Sequence, residues 1–304
     1  MAHQQRTALS QSTHKLRIDE NTNHENVQEA QLPYIHERPV GRGGYGVVDA
    51  VRDIHTGRVF ARKIFHTTSK RRERVRAMQE FHHEAKQIRK LAQNHHMVRI
   101  HATYATKDSL GLILSPMANE GDLAKFLDRF SDLSDEQNTT RQQMTYNLMQ
   151  AFGCLSSGLA FMRRQKIRHK DIKPSNILIH NGRVLYTDFG LALDFSNLDT
   201  SMTTGPAERT TRKYSAPEVI LHQPRRSSAD VYSLGCVFIE MYNIVLKFLD
   251  YDERLKYSDS MDSIRTQISA RVAQYSTAPR RLFLIGFDHS SHDRAEPRRS
   301  LLGG

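Results

Sequence analysis

Ile167-Arg168-His169-Lys170-Asp171-Ile172-Lys173-Pro174-Ser175-Asn176-Ile177-Leu178, followed by Tyr186-Thr187-Asp188-Phe189-Gly190, decides how the rest of this chain is read. Asp171, Asn176 and Asp188 place hard oxygen donors, and Lys173 a cation, in polar segments between short apolar ones. Two aspartates in isolation would be no more than loop caps, so their meaning depends on what stands upstream.

Upstream, Gly41-Arg42-Gly43-Gly44-Tyr45-Gly46-Val47-Val48 is a GxGxxGxV pattern between two strand signals. Glycines let backbone N–H groups approach a polyphosphate because no Cβ intervenes. A dinucleotide-binding turn would open a helix directly after its glycines. Here Val47-Val48-Asp49-Ala50-Val51 continues as a β-branched run and pairs by pattern with Val59-Phe60-Ala61-Arg62-Lys63-Ile64-Phe65. Lys63 therefore sits on the strand after the glycine hairpin. Between residues 70 and 94, Val75, Met78, Phe81, Ala85, Ile88 and Leu91 recur at three and four residues, the period of an amphipathic helix. Glu84 lies on that face one turn before Ile88 and is the expected partner of Lys63, with Glu80 as the competitor. Residues 97–103 and 110–114 supply further strands, and from Gly121-Asp122-Leu123 onward the chain is mostly helical. Strands first and helices later predict an α+β architecture in two unequal lobes.

In this order and spacing the segments resemble a eukaryotic protein kinase of the serine/threonine branch, over residues 34–241. His169-Lys170-Asp171 stands where the family has His-Arg-Asp, Asp188-Phe189-Gly190 matches Asp-Phe-Gly, and Ala216-Pro217-Glu218 and Asp230 follow in family order. The resemblance implies a two-lobed protein-kinase-like fold. Its N-lobe (about residues 34–117) would be small and β-rich with one key helix, and its C-lobe (about residues 118–304, the end shortened) larger and mainly helical. It implies transfer of the γ-phosphoryl group of ATP to serine or threonine hydroxyls of protein substrates, catalysed mainly by positioning and electrostatics. Lys63, anchored by Glu84, would hold the α- and β-phosphates; Asp171 would orient the hydroxyl and accept its proton; Lys173 would add positive charge beside the moving group. Asn176 and Asp188 would bind Mg²⁺, with Mn²⁺ as the alternative metal. Gly41, Gly43 and Gly46 would line the phosphates, and Val48, Ala61, Ala118 and Leu178 the nucleotide. Asp122 would reach the ribose and Ser115 would guard the rear of the adenine pocket. Thr211 matches the threonine that contacts the catalytic Asp and Lys, and Asp230 would brace the catalytic loop.

The chain also departs from the family. Pro116 replaces an acidic residue, Tyr232 a tryptophan, and Lys170 an arginine. A lysine there offers charge without the bidentate fork that would read a phosphate on Ser196, Thr200, Ser201, Thr203, Thr204 or Thr210. After Met241 the resemblance fades; Arg294 is the candidate partner of Glu218, and a catalytically weak pseudokinase or scaffold is the alternative reading.

Composition sets the outer bounds. The 304 residues carry 44 Lys+Arg against 33 Asp+Glu, a net charge of +11, and are 38% hydrophobic, enough for a real core. The surplus charge admits a basic nucleic-acid-binding module as a third reading, but nucleic acid is not the expected partner. Cys154 and Cys236 are too few for a disulfide framework and read as packing thiols, which favours an intracellular location, cytoplasmic or nuclear. No run approaches the roughly 18 apolar residues of a membrane span, and the start lacks a signal-peptide core. Residues 1–33, rich in Gln, Asn, His, Ser and Thr, read as a disordered tail. The run from Lys70 to Arg76 reads as a solvated basic face, and His82-His83 and His95-His96 lack a metal-ligand constellation.

Overall fold

In this computed structural model, which describes residues 14–43, 46–134, 136–196, 211–224, 226–252 and 254–277, the glycine-bounded runs do form strands. A short β1 (Thr22–His24) is followed by β2 (Tyr34–Gly43), β3 (Gly46–Asp53) and β4 (Val59–His66). The β3–β4 turn is made locally: Asp53 Oδ1 accepts the N–H groups of His55 and Thr56, each at 2.8 Å, and Gly57 takes the left-handed φ of +68°. Helix α1 (Arg71–Leu91) leads into β5 (Arg99–Ala105) and β6 (Ser109–Ser115). These strands make one six-stranded sheet in the order β1-β5-β6-β4-β3-β2.

Beyond the sheet come α2 (Leu123–Ser131) and the long α3 (Asn138–Arg164), then β7 (Ile167–Arg168), β8 (Ile177–His180), β9 (Arg183–Tyr186) and β10 (Leu193–Asp194). β8 pairs with β9 and β7 with β10, so two small hairpin-like ladders carry the polar segments. The short α4 (Pro217–Ile220), the apolar α5 (Ser228–Leu246) and α6 (Tyr257–Thr277) complete the described helices. The two-lobed α+β expectation is met, and the lobes share one core. A continuous apolar cluster runs from Phe65, Ile88 and Leu112 through Phe126 and Leu155 to Phe189, Val237 and Met241. α6 joins through a separate cluster of Cys236, Leu249, Tyr257 and Ile264.

Three expectations change. Residues 14–33 are not a loose tail: β1 pairs in parallel with β5, and Ile18, Val27 and Leu32 are buried with Tyr34, Val51, Phe60 and Ile113. Their few apolar residues follow no helix or strand period, so the sequence conceals a set that converges only when the segment lies on the sheet. Residues 1–13 of the expected tail lie outside the described residues. In α1, Val75 and Met78 are exposed while Phe81, Ala85, Ile88 and Leu91 are buried, because the helix lies against the sheet mainly through its last three turns. Finally, α5 is long and apolar enough to cross a membrane by length and composition. In the fold it is a core helix, with Leu234, Cys236, Val237 and Met241 buried and the carboxylate of Asp230 tied to the loop after β7.

Candidate active site

Lys63 stands on β4 between Val48 of β3 and Leu112 of β6, so its neighbours in the sheet are apolar and its side chain emerges toward α1. Its Nζ donates to both carboxylate oxygens of Glu84, at 2.8 and 2.7 Å, and to Asp188 Oδ1 at 2.8 Å. Glu84 is thus the anchor; Glu80, the competitor, pairs instead with Arg76 at 2.9 Å. Burial works against the Lys63 ammonium, but the carboxylates of Glu84 and Asp188 outweigh it and hold its pKa above the ordinary lysine value. Burial lifts the Glu84 carboxyl, against the pull of Lys63. At Asp188 burial also pushes upward, yet the Lys63 charge prevails and keeps the carboxyl below the ordinary aspartate value.

Asp188 is presented by backbone in the left-handed region, φ 61° and ψ 67°. Phe189 behind it is fully buried and packs on His169, ring centroids 4.9 Å apart. The His169 ring Nε2 donates to the Thr187 carbonyl at 3.0 Å, which ties the two decisive motifs together. Asp230, on α5, accepts the N–H groups of His169 at 2.8 Å and Lys170 at 2.9 Å, and Lys170 has φ 70°. The bracing role expected of Asp230 is therefore met by geometry: a buried carboxylate holds the loop backbone where Asp171 leaves it.

Around Asp171 the polar side chains converge. Asn176 Nδ2 donates to its backbone carbonyl at 2.8 Å and to its Oδ2 at 3.0 Å. Lys173 Nζ lies 2.7 Å from Asp171 Oδ2 and donates to Thr211 Oγ1 at 2.7 Å, while the Thr211 N–H reaches Asp171 Oδ1 at 3.3 Å. One carboxylate is thereby fixed by an amide, an ammonium and a backbone N–H.

Gly43 pairs with Gly46 at the tip of the β2–β3 hairpin; Gly44 and Tyr45 lie outside the described residues. Gly46 has φ +152°, and a Cβ there would stand 2.3 Å from the Ile64 carbonyl oxygen, so this position requires glycine. Gly41 pairs with Val48, and a Cβ there would meet nothing within 4 Å. Ala61, opposite Leu114, is half-buried, as are Val48 and Leu178, and Ala118 is buried. Ser115 ends β6 opposite Arg99. Asp122 does something the sequence reading did not assign: its Oδ1 caps α2 by accepting the Lys125 N–H at 3.0 Å, and its Oδ2 lies 3.3 Å from Lys125 Nζ. A ribose contact would share a carboxylate already committed to the helix. Arg294 lies outside the described residues, as do Thr200, Ser201, Thr203, Thr204 and Thr210.

Other side chains near the site had no recognisable signal in sequence. His83 donates to the Ala192 carbonyl at 2.7 Å, and Lys90 Nζ reaches Asp194 Oδ2 at 2.9 Å and Ser196 Oγ at 2.6 Å, so α1 grips the segment after Asp188. These contacts join residues about a hundred positions apart on unrelated elements, and no short motif encodes them.

Could the donor set hold a metal with a nucleotide? Among the described residues no group of three or more His, Cys, Asp or Glu is placed to hold an ion. Asp188 and the Asn176 amide oxygen supply two hard donors, which suits a cation that completes its shell with phosphate oxygens and water. The site fits.

A two-lobed fold with a lysine–glutamate pair facing a second carboxylate across the cleft defines a nucleotide-dependent phosphotransferase architecture. Residues 34–290 match the family model of the protein kinase domain, and the chain belongs to the protein kinase family, in its serine/threonine branch. The match passes Met241, where the sequence reading lost the resemblance. The chain is 29% identical over 240 residues to the rat (Rattus norvegicus) G protein-coupled receptor kinase 4, covering 79% of this chain and 39% of that protein. It is 32% identical over 234 residues to ribosomal protein S6 kinase 2 alpha of Xenopus laevis, covering 74% of this chain and 29% of that one. To mitogen-activated protein kinase kinase kinase ANP1 of Arabidopsis thaliana it is 30% identical over 208 residues, 66% of this chain and 29% of that one. The chain thus spans less than two fifths of the length of these relatives.

Proposed function

We propose that this chain transfers the γ-phosphoryl group of ATP to serine and threonine hydroxyls of protein substrates. The observation that carries the reading is the fixed Asp171 carboxylate, held by Lys173, Asn176 and the Thr211 N–H, in the same site as the Lys63–Glu84–Asp188 cluster. In the transfer, the substrate oxygen forms a bond to the γ-phosphorus as the bond to the bridging β–γ oxygen breaks. ADP leaves, and the hydroxyl proton passes to Asp171. Lys173 offsets the charge beside that carboxylate, and its bond to Thr211 supports a serine/threonine acceptor. Lys63, oriented by Glu84, presents an ammonium to the α- and β-phosphates. Gly41, Gly43 and Gly46 leave the hairpin backbone free to cover the phosphates, and Val48, Ala61, Ala118 and Leu178 offer apolar surface to the adenine.

Asn176 and Asp188 would hold Mg²⁺, which when bound would neutralise charge on the phosphate oxygens, and Mn²⁺ has the same coordination demand for hard donors. Protein substrates would extend past Pro174 to a cavity of about 360 Å³ lined by Asp128, Lys213 and Glu240, among others, which offers both signs of charge. The two thiols, both free, support an intracellular, cytoplasmic or nuclear, setting. The scaffold alternative drew on a fading C-lobe, and the match to residue 290 removes that motive.

The test is phosphate transfer from radiolabelled ATP to a generic basic protein, with Mg²⁺ and separately with Mn²⁺. Asp171→Asn should lower the rate by about 10²–10⁴-fold, and Lys63→Met should abolish it, each with the far-ultraviolet circular dichroism of the parent. Full activity in both variants would overturn the assignment.

A further inference from the structure

The segment before residue 34 precedes the stretch that matches the kinase family, yet it reaches the helix that carries Glu84. The contact is Asn23. Its Oδ1 accepts Thr103 Oγ1 from β5 at 2.6 Å and Arg89 Nη2 from α1 at 2.5 Å. The sheet register gives this meeting point its significance. Asn23 is the cross-strand partner of Thr103, Thr103 of Leu112, and Leu112 of Lys63. Partners in one cross-strand row share a face of the sheet. Asn23 and Lys63 therefore stand at two points of the same row, both turned toward α1.

Helix α1 is tied to that row twice. Glu84 binds Lys63, and Arg89, five residues further on, binds Asn23. With a rise of about 1.5 Å per residue the two attachments lie roughly 7.5 Å apart along the helix axis. Core packing of Phe81, Ile88 and Leu91 and the bonds of His83 and Lys90 hold α1 from below and from the segment after Asp188; Asn23 adds a second fixed point on the sheet row of Lys63 itself. We propose that Asn23 is a positioning residue for the active site, a tether through which residues 14–33 help to hold α1, and with it Glu84, against the strand that carries Lys63.

The role deepens the phosphoryl-transfer reading, but only the kinetic half of its test rests on that reading. Asn23→Ala removes the shared acceptor; Asn23→Asp keeps it for both donors. In the full chain, Asn23→Ala should lower kcat/KM for peptide phosphorylation about three- to tenfold, the range of one lost hydrogen bond. It should also speed amide hydrogen exchange across residues 84–91. Asn23→Asp should restore both readouts to within about twofold of the parent. Arg89→Ala, an exposed change, should reproduce the loss and give no further loss in the double variant; it also serves if Asn23→Ala fails to fold. Unchanged exchange in α1 on losing the acceptor, or equal impairment by Ala and Asp, would overturn the tether. A parent without kinase activity that still shows the exchange pattern would refute the phosphoryl-transfer reading and leave the tether standing.

Discussion

At Asp188 two opposing forces act on one carboxyl: burial raises its pKa, and the Lys63 ammonium at 2.8 Å lowers it further than burial raises it. Because the folded value lies below the ordinary 3.8, this group stabilises the fold at pH values above that and loses the contribution as pH falls through the folded value. Lys63 carries the opposite sign. Its raised value keeps the stabilisation in full below 10.5 and surrenders it only as pH rises through the folded value. Thermal melts should therefore decline at the acid end, and Lys63→Met should shrink that decline, since it removes the charge that depresses Asp188. An unchanged acid limb would contradict the ion pair. Asp230 makes a second case. Its buried carboxylate satisfies two backbone donors, so Asp230→Ala strands both N–H groups and should cost about 3 kcal/mol or more in chemical denaturation. Asp230→Asn has one acceptor oxygen in place of two and should cost less. Cys236 is fully buried and its thiol is pushed up to about 12, first by burial. Mass spectrometry after iodoacetamide treatment at neutral pH should find it unmodified until the chain is unfolded.

The elements differ in how closely composition tracks placement. The apolar residues of α1 share one period but not one fate: Ile88 is fully buried, whereas Val75 is 45% exposed beyond the sheet. Ile88→Ala should destabilise the fold by about 2–5 kcal/mol and move Glu84 with it, while Val75→Gln should stay within about 0.5 kcal/mol. Equilibrium urea denaturation of the two variants separates the turns that pack from those that do not. The basic run at the start of the same helix behaves as a solvated face, with Lys70 paired to Glu73 and Arg76 to Glu80. In α5, length and apolarity alone suit a bilayer, and it is Asp230 in the first turn that ties the helix to the catalytic loop.

For the whole molecule, the lobes are joined by one apolar cluster that passes from the sheet and α1 through α2 to Phe189 and α5. The N-terminal segment adds a second layer on the other face of the sheet, where Ile18, Val27 and Leu32 cover Phe60, Tyr104 and Ile113. Truncation to residue 34 should leave that face and the edge of β5 open. The expected result is a melting temperature lower by a few degrees and stronger binding of an apolar dye. A truncated chain that matches the parent in both would show that the cover contributes nothing.

The candidate catalytic groups were legible in the residue order because the proposed chemistry demands particular types at particular spacings. Lys63, Asp171, Asn176 and Asp188 could be named from short motifs, and Glu84 could be preferred to Glu80, which shares its helical face, from its fit with Leu91 and the strand candidate that follows. Local periodicity likewise disclosed the glycine hairpin, β3, β4 and α1. Long-range convergence left no such trace: the capping duty of Asp122, the grip of Lys90 on Asp194 and the shared bonds of Asn23 each depend on where distant elements come to rest. Residues 14–33 make the point most plainly, since a segment too polar to fold alone becomes ordered once another part of the chain offers it an apolar face and a row of backbone partners. Motifs record chemistry that neighbours along the chain can express, whereas packing is a property of surfaces that meet only after folding.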